Sequence, residues 1–417
     1  MLVLRRTQGR PLAAALVCVR DGDLKEKPAE AGALGLGLAL AARGGAAGPA
    51  PAFTKMLAEA GASLSLVEVS QDALALELVA PPSDLPGLLS VLVAALADPA
   101  FAYPDFPQAD YDAAMKDFRI RRLREDGDPA VRAEARLREE IYGDHPYAPP
   151  RLGTESSLLA LTRAEVAERW KSVVGSERVL VSAVGDLDID GLAALLGPSL
   201  ARLGTRGKAP LAPPGLPIRN ALVLEPMPTA QAVWLRADFA APEVSSPDYP
   251  ALLVALAMLD DLLRAELGGT RPVAYGAYTR LSLAAIPSGS IAVARTMSAA
   301  IARQGVERAM GMLAGGLCLA PTGRGYVPLA DALPGYRLSA TFRLYAHSAG
   351  AAAMAENIAR DLAAGGDGSA WFRMADRIAR VTAEDVVRVA SERLIDGPVA
   401  WAAAGPTELL KDLQGQQ

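Results

Sequence analysis

A proline-rich segment divides the sequence near its middle into two stretches of similar length. This segment, RGKAPLAPPGLP at residues 206–217, has four prolines and two glycines, a composition typical of a linker. A chain of 417 residues exceeds one compact core of ordinary size and fits two domains of about 200 residues each. The sequence therefore predicts an N-terminal lobe at residues 1–206, a linker at residues 207–217 and a C-terminal lobe at residues 218–417.

The same order of strands and helices recurs on both sides of this linker. In the first half, hydrophobic periodicity predicts a strand at residues 12–19, helices at 29–43 and 52–60, and a hairpin at 62–81. Helices at residues 85–97 and 108–124 follow, and after a further helix a strand at residues 178–184 closes the unit. In the second half it predicts a strand, a helix and two strands, followed by helices to the C-terminus, with the first four at residues 230–237, 249–267, 273–285 and 289–294. Residue identity between the halves is low, but element order and spacing predict a duplicated α+β unit.

Charge and hydropathy exclude two classes of partner. The net charge is −5 and no long basic run occurs, so the chain lacks the electrostatic footprint of a nucleic-acid binder. The longest uninterrupted apolar run, residues 31–42, is shorter than the roughly 20 residues that span a membrane, so no membrane insertion is expected. Cys18 and Cys318 are the only cysteines and are predicted to be small buried hydrophobes, since one distant pair is no disulfide framework.

The start of the chain combines an arginine pair with an apolar run. No small-residue cleavage site follows the run, so these residues are predicted to form a first strand, with a secretory leader absent or already removed. The sequence leaves the compartment open between cytoplasm and periplasm.

Several segments match one known family in order and spacing. The most specific are YGDHPYAPPRLGTESSLLALTRAEVAERW at residues 142–170 and VLVSAVGDLD at residues 179–188, and a weaker one is VTAEDVVRVASERL at residues 381–394. They resemble the pitrilysin/insulinase superfamily of zinc peptidases, in particular its short-chain branch that includes mitochondrial processing peptidase. The resemblance covers nearly the whole chain. It implies two homologous lobes of the LuxS/metallohydrolase-like type, each a mostly antiparallel β-sheet flanked by helices.

The segment in which that family carries its zinc site lacks the residues of the site. Active members have His-x-x-Glu-His on the first long helix, where the two histidines share one face and hold the metal while the glutamate acts as general base. In this sequence the register places Gly35, Leu38 and Ala39 at those positions. The third ligand of the family is a glutamate on a later helix, but residues 113–123 contain no glutamate and their only acid is Asp117. The resemblance therefore implies no zinc in this chain and zinc only in a partner subunit.

Histidine is too scarce for a zinc motif in any other register. The chain has only His145 and His347. His145 lies in the family-like segment and is predicted to hold a loop by hydrogen bonding. His347 is predicted to be an ordinary helix or turn residue, since a lone histidine has no co-ligands.

The second lobe keeps part of a substrate-binding segment. Active assemblies of the family share Leu-Arg-x-x-x-Gly-x-Ala-Tyr, whose Arg and Tyr help to hold substrate and polarise the scissile carbonyl. The comparable stretch, AELGGTRPVAY at residues 265–275, keeps Tyr275 but has Gly268 in place of the Arg. The resemblance implies that Tyr275 contributes a hydrogen bond to the active site of a partner subunit, with Arg271 or Arg264 as weaker candidates for the missing cation. Packing of Tyr275 in a sheet is the alternative.

These features predict a chain that is no enzyme on its own but a non-catalytic subunit of a heterodimeric zinc metallopeptidase. The resemblance implies half of a closed chamber that positions peptides for a homologous zinc-containing subunit, with peptides adding a strand to a sheet edge. Residues 252–263 are a plain apolar helix where the mitochondrial non-catalytic subunit has a glycine-rich loop, which favours the bacterial type. A catalytically inactive scaffold, as in respiratory complexes, and a peptide-binding homodimer are the alternatives. Phosphate-loop, G-x-S-x-G and dinucleotide signatures are missing from the sequence.

Overall fold

The computed structural model describes residues 1–414 except 21–25, 46–49, 206–217, 270–271, 321 and 324. The predicted linker and Arg271 lie outside the described residues. Its strands, in chain order, are β1 (Leu2–Arg6), β2 (Ala13–Arg20), β3 (Ser63–Ser70), β4 (Ala73–Ala80), β5 (Val179–Gly185), β6 (Ala221–Pro226), β7 (Val233–Ala240), β8 (Ala274–Ser282), β9 (Ser288–Thr296), β10 (Leu317–Leu319), β11 (Tyr326–Pro328) and β12 (Val399–Gly405).

The helices pack on these strands. In chain order they are α1 (Ala33–Ala41), α2 (Ala50–Glu59), α3 (Leu85–Ala97), α4 (Gln108–Asp126), α5 (Pro129–Tyr142), α6 (Glu155–Ala160), α7 (Arg163–Val173), α8 (Ile189–Arg202), α9 (Asp248–Gly268), α10 (Ala299–Ala314), α11 (Leu329–Ala346), α12 (Ala351–Ala363), α13 (Ala370–Ile378), α14 (Ala383–Ala390) and α15 (Thr407–Gln414). None of the described helices is both long and apolar enough to cross a membrane.

The chain forms two compact units, and each unit takes a helix from the other half of the chain. Unit 1 comprises Met1–Leu123, Pro149–Pro213 and His347–Ser369, and unit 2 comprises the remaining segments. Unit 1 therefore includes α12, and unit 2 includes α5. This division differs from two contiguous lobes at residues 1–206 and 218–417, because each of these two helices packs against the sheet of the unit to which it belongs.

Unit 1 is built on a five-stranded sheet with the order β1-β5-β2-β4-β3. β1 and β5 run parallel, and every other neighbouring pair is antiparallel. The interior strands β2 and β5 are buried along almost their whole length, because both faces of the sheet are covered. One face packs on α1, α3 and α7, and the other packs on α12.

Unit 2 repeats this arrangement with the order β6-β12-β7-β9-β8. β6 and β12 run parallel, and the other neighbouring pairs are antiparallel. Each strand of one sheet thus has a counterpart at the same place in the other, and β3 and β8 are the corresponding edge strands. One face of this sheet packs on α9 and α10, and α5 lies against β6, β7 and β12. The shared topology confirms the predicted duplicated α+β unit.

A cluster of charged side chains fixes α5 on the sheet of unit 2. Arg236 on β7 donates from Nε to Asp238 Oδ1 and from Nη1 to Glu134 Oε2 on α5, both at 2.7 Å. Arg138 donates to the other oxygen of Glu134 at 2.8 Å. Burial raises the pKa of Asp238 although Arg236 opposes the shift. Burial also acts to raise the pKa of Glu134, but Arg236 and Arg138 outweigh it, and this pKa lies below its ordinary value.

Several elements of the second half differ from the prediction. Only helices were predicted after residue 294, whereas β12 is an interior strand and β10 and β11 form a hairpin. β12 reads VAWAAAG and is buried on both faces, so it lacks the alternation that indicates a strand. β6 was also missed, and β7 begins at Val233 rather than at residue 230. Cys18 and Cys318 are buried as predicted, and burial raises the pKa of the Cys318 thiol to about 11.

Candidate functional site

Helix α1 starts at a glycine that no other residue can replace without strain. Gly32 has a φ of +92°, and a Cβ there would lie 2.8 Å from the carbonyl oxygen of Leu152. The Glu26 carboxylate accepts hydrogen bonds from the backbone N–H groups of Gly32 at 2.8 Å and Leu34 at 2.7 Å. The α-helix therefore begins at Ala33, four residues later than the sequence predicted.

The three positions of the degenerate zinc motif lie within α1. A Cβ at Gly35 would lie 2.9 Å from Cζ of Phe118, so the ring of Phe118 on α4 occupies the space that a side chain at residue 35 would need. Leu38 is fully buried in the core of unit 1, and Ala39 is half-buried. None of these three residues carries a metal-binding atom. The residues present therefore do not fit a zinc ion.

A second glycine of α1 accommodates another aromatic ring. A Cβ at Gly37 would lie 2.7 Å from Cε3 of Trp170 on α7. Trp170 donates its indole N–H to the carbonyl oxygen of Leu96 at 3.1 Å and packs edge-on against Phe101, with ring centroids 5.4 Å apart. The glycines of this helix thus allow two aromatic side chains to contact its backbone closely.

A cavity of about 250 Å³ opens beside Ala39, between α1, the edge strand β3 and α4. Most of its walls are apolar, and these residues are Ala39, Ala42, Leu64, Leu66, Leu76, Ala114 and Phe118. We call this cavity the β3 cleft. Its volume suits one hydrophobic side chain of a peptide, and its place beside an edge strand puts backbone hydrogen-bonding groups next to the apolar wall.

Two arginines stand at the β3 cleft, each beside a carboxylate. Arg43 donates from Nη2 to Asp117 Oδ2 at 3.3 Å. Arg121 donates from Nη1 to the backbone oxygen of Leu66 at 3.0 Å, and its Nη2 lies 3.8 Å from Glu68. Within the described part of the chain, no group of three or more His, Cys, Asp or Glu side chains is placed to hold a metal ion. The cleft thus combines an apolar wall with two arginine–carboxylate pairs.

Tyr275 lies on β8, the edge strand of unit 2, and its side chain points into solvent. The residue is 83% exposed, and the guanidinium carbon of Arg295 on β9 lies 5.9 Å from the centroid of its ring. Arg264 is engaged elsewhere, because it donates to Asp261 at 2.8 Å one turn earlier on α9. Sequence reasoning missed Arg295, since only the strand pairing brings it beside Tyr275.

Neither histidine lies on β3 or β8. The ring of His145 packs against Tyr142 and Tyr147, and its Nδ1 accepts a hydrogen bond from the backbone N–H of Tyr147 at 3.1 Å. This geometry agrees with the structural role predicted for His145. His347 is exposed, just after the end of α11.

The sequence is similar to known proteins over part of its length. No family model matches the sequence. Over 131 residues the chain is 28% identical to an uncharacterized zinc protease of Mycobacterium tuberculosis, and the matched stretch spans 31% of this chain and 29% of that relative.

Solved structures extend the similarity to the whole chain. The inactive domain of an M16 peptidase from Pseudomonas fluorescens has a TM-score of 0.79 at 17% identity, over 97% of this chain and 95% of that chain. A protease from Helicobacter pylori has a TM-score of 0.81 at 15% identity, over 97% of this chain and 96% of that chain. The chain thus has the two-lobed α+β fold of M16 peptidase structures, which confirms the predicted fold class.

Proposed function

We propose that this chain is a catalytically silent member of the pitrilysin superfamily that forms half of a peptide-binding chamber for a separate zinc-containing subunit. The proposal rests on the residues that α1 has at the positions of the zinc motif. The three motif positions hold no metal ligand, and the ring of Phe118 fills the space beside Gly35. The superfamily placement is supported by the M16 fold and by the partial identity to a zinc protease. Catalysis is then the task of the partner, and peptide binding is the task of this chain.

The β3 cleft supports peptide binding by strand addition. Among the described strands β3 pairs only with β4, and its residues Leu64, Ser65 and Leu66 line the cleft. An extended peptide beside β3 would form main-chain hydrogen bonds and place one apolar side chain among Leu64, Leu66 and Phe118. Main-chain recognition tolerates diverse sequences, as a chamber for unfolded peptides requires. Arg121 already donates to the Leu66 oxygen, so a bound peptide must displace this side chain or accept it as a neighbour.

Tyr275 is the residue of unit 2 that we propose to contact the bound peptide. Replacing Tyr275 by Phe removes one hydroxyl donor and is expected to lower kcat/KM of the reconstituted pair about tenfold, the effect of one hydrogen bond to a charged group. Assembly should not change, because the side chain is almost fully exposed. Peptide cleavage measures the first quantity and size-exclusion chromatography the second.

The matched control for this substitution is Tyr326→Phe. Tyr326 is another exposed tyrosine of unit 2, and its hydroxyl donates to Glu266 on α9 at 2.7 Å, whereas the Tyr275 side chain points into solvent. This variant should cleave peptide at the rate of the unmodified pair. Equal turnover for the Tyr275→Phe and Tyr326→Phe pairs would show that the Tyr275 hydroxyl has no part in substrate binding.

A further inference from the structure

Arg295 has an unusual backbone conformation. Its φ of 54° makes it the only residue other than glycine with a positive φ in the described part of the chain. The pairing of β9 with β7 explains this value: Val233 lies opposite Thr296 and Leu235 opposite Val293, so β9 has one residue more than β7 between these two pairs. The extra residue forms a β-bulge, and its left-handed position is one that glycine ordinarily fills.

The regular pairing of β8 with β9 places Arg295 beside Tyr275. The register of β8 with β9 places Ala274 opposite Thr296 and Gly276 opposite Ala294, so that Tyr275 and Arg295 face each other across the strands. The guanidinium group lies over the exposed tyrosine ring. The side chain of Arg295 is exposed and makes no hydrogen bond or ion pair with the described residues. A strained arginine whose guanidinium forms a cation–π pair at the surface is poorly explained by folding stability alone.

The far part of the same edge strand is closed. The backbone N–H of Thr279 donates to Asp260 Oδ1 on α9 at 2.8 Å, so this point of the edge is not available to an added strand. Asp260 also accepts from Arg343 on α11. A peptide that pairs with β8 at Tyr275 therefore ends before Thr279 or leaves that residue unpaired.

We infer that Arg295 and Tyr275 form a binding site for a carboxylate of an extended peptide. The inference rests on the proposed peptide-binding function and names the group that unit 2 recognises. A guanidinium presents two parallel N–H donors that match the two oxygens of a carboxylate, and the tyrosine hydroxyl supplies a third donor beside them. The carboxylate comes either from the C-terminus of the peptide or from an Asp or Glu side chain.

Direct binding to the purified full chain tests this site. The probes are three versions of one short fluorescein-labelled peptide of alanine, leucine and serine: a neutral C-terminal amide, the free C-terminal acid, and the amide with one internal Asp. Fluorescence anisotropy is expected to show about tenfold tighter binding of at least one acidic version than of the neutral one. The acidic version that binds more tightly identifies the source of the carboxylate.

Substitutions at residue 295 separate recognition from folding. Arg295→Asn and Arg295→Gly remove the guanidinium, and both new residues tolerate the left-handed conformation. We expect both variants to lose the preference for acidic peptide while the Tm stays unchanged or rises, because backbone strain is relieved. Arg308→Asn is the charge-matched control: Arg308 pairs with Glu266 on the surface of unit 2, and its loss should leave the preference intact.

Each contradictory result has a distinct meaning. Equal affinity of the unmodified chain for all three peptides would overturn the carboxylate site and leave peptide binding standing. A lowered Tm together with an unchanged preference in both residue-295 variants would assign Arg295 to folding. No binding of any peptide would overturn the proposed function and, with it, the inference.

Discussion

Replacing Arg236 by methionine is expected to lower the free energy of unfolding by about 2–4 kcal/mol at neutral pH, because the carboxylates of Asp238 and Glu134 lose the cation that they share. This loss in the free energy of unfolding is smaller than expected for a fully buried ion pair, since the Glu134 side chain is 38% exposed. Urea unfolding at equilibrium measures the change. Loss of the cation also removes the link between α5 and β7.

The stability lost on replacing Arg236 by methionine should be smaller at acid pH than at neutral pH. The pKa values of the two carboxyl groups explain this direction. In the variant, Arg236 no longer opposes the effect of burial, so the folded-state pKa of Asp238 rises further and that of Glu134 rises from its lowered value. A carboxyl whose folded pKa exceeds its unfolded pKa destabilises the protein above that pKa, and this cost disappears as the pH falls toward about 4. Arg308→Met removes a cation whose own side chain is 56% exposed and should change stability by at most about 1 kcal/mol. Equal losses for Arg236→Met at neutral and acid pH would contradict this assignment.

Rebuilding the zinc motif in α1 is expected to destabilise unit 1 without producing a zinc site. The triple variant Gly35→His, Leu38→Glu, Ala39→His drives an imidazole into the ring of Phe118 and places a carboxylate at a fully buried position. Overpacking and an unpaired buried charge together should cost at least about 3 kcal/mol. Urea unfolding and metal analysis of the purified protein measure the two effects. A stable variant with stoichiometric, tightly held zinc would show that the space beside Gly35 is not closed.

Smaller substitutions isolate the steric part of this result. Gly35→Ala should be destabilising by itself, because its Cβ would meet Phe118 Cζ at 2.9 Å. The same change should cost less in a Phe118→Leu background, since a smaller side chain leaves room, and the two substitutions should therefore be non-additive. Ala39→His is the single-residue control, because Ala39 lines the open β3 cleft. Strict additivity of the first two changes would contradict a direct contact.

Elements with a strong local pattern could be predicted from the sequence. Helix α3 was predicted to the residue, and the β3–β4 hairpin follows from two alternating runs. Central strand β12 has no alternation, and the exchange of α5 and α12 between the units depends on tertiary packing that no local pattern encodes. The absence of metal ligands could be derived from residue types alone. The contact between Phe118 and α1 could not be derived in this way, since residues 35 and 118 are far apart in sequence. Arg295 reaches Tyr275 only through the pairing of β8 with β9.

The most direct measurement is a peptide-cleavage assay of this chain alone and then mixed with a homologous chain that carries an intact His-x-x-Glu-His motif. The account predicts no cleavage by this chain, and cleavage by the mixture that exceeds the activity of the zinc-bearing chain alone and is lost with a chelator. Chelator-sensitive cleavage by this chain alone would contradict its catalytic silence. No gain on mixing would contradict the partner role and favour a scaffold or a peptide-binding homodimer.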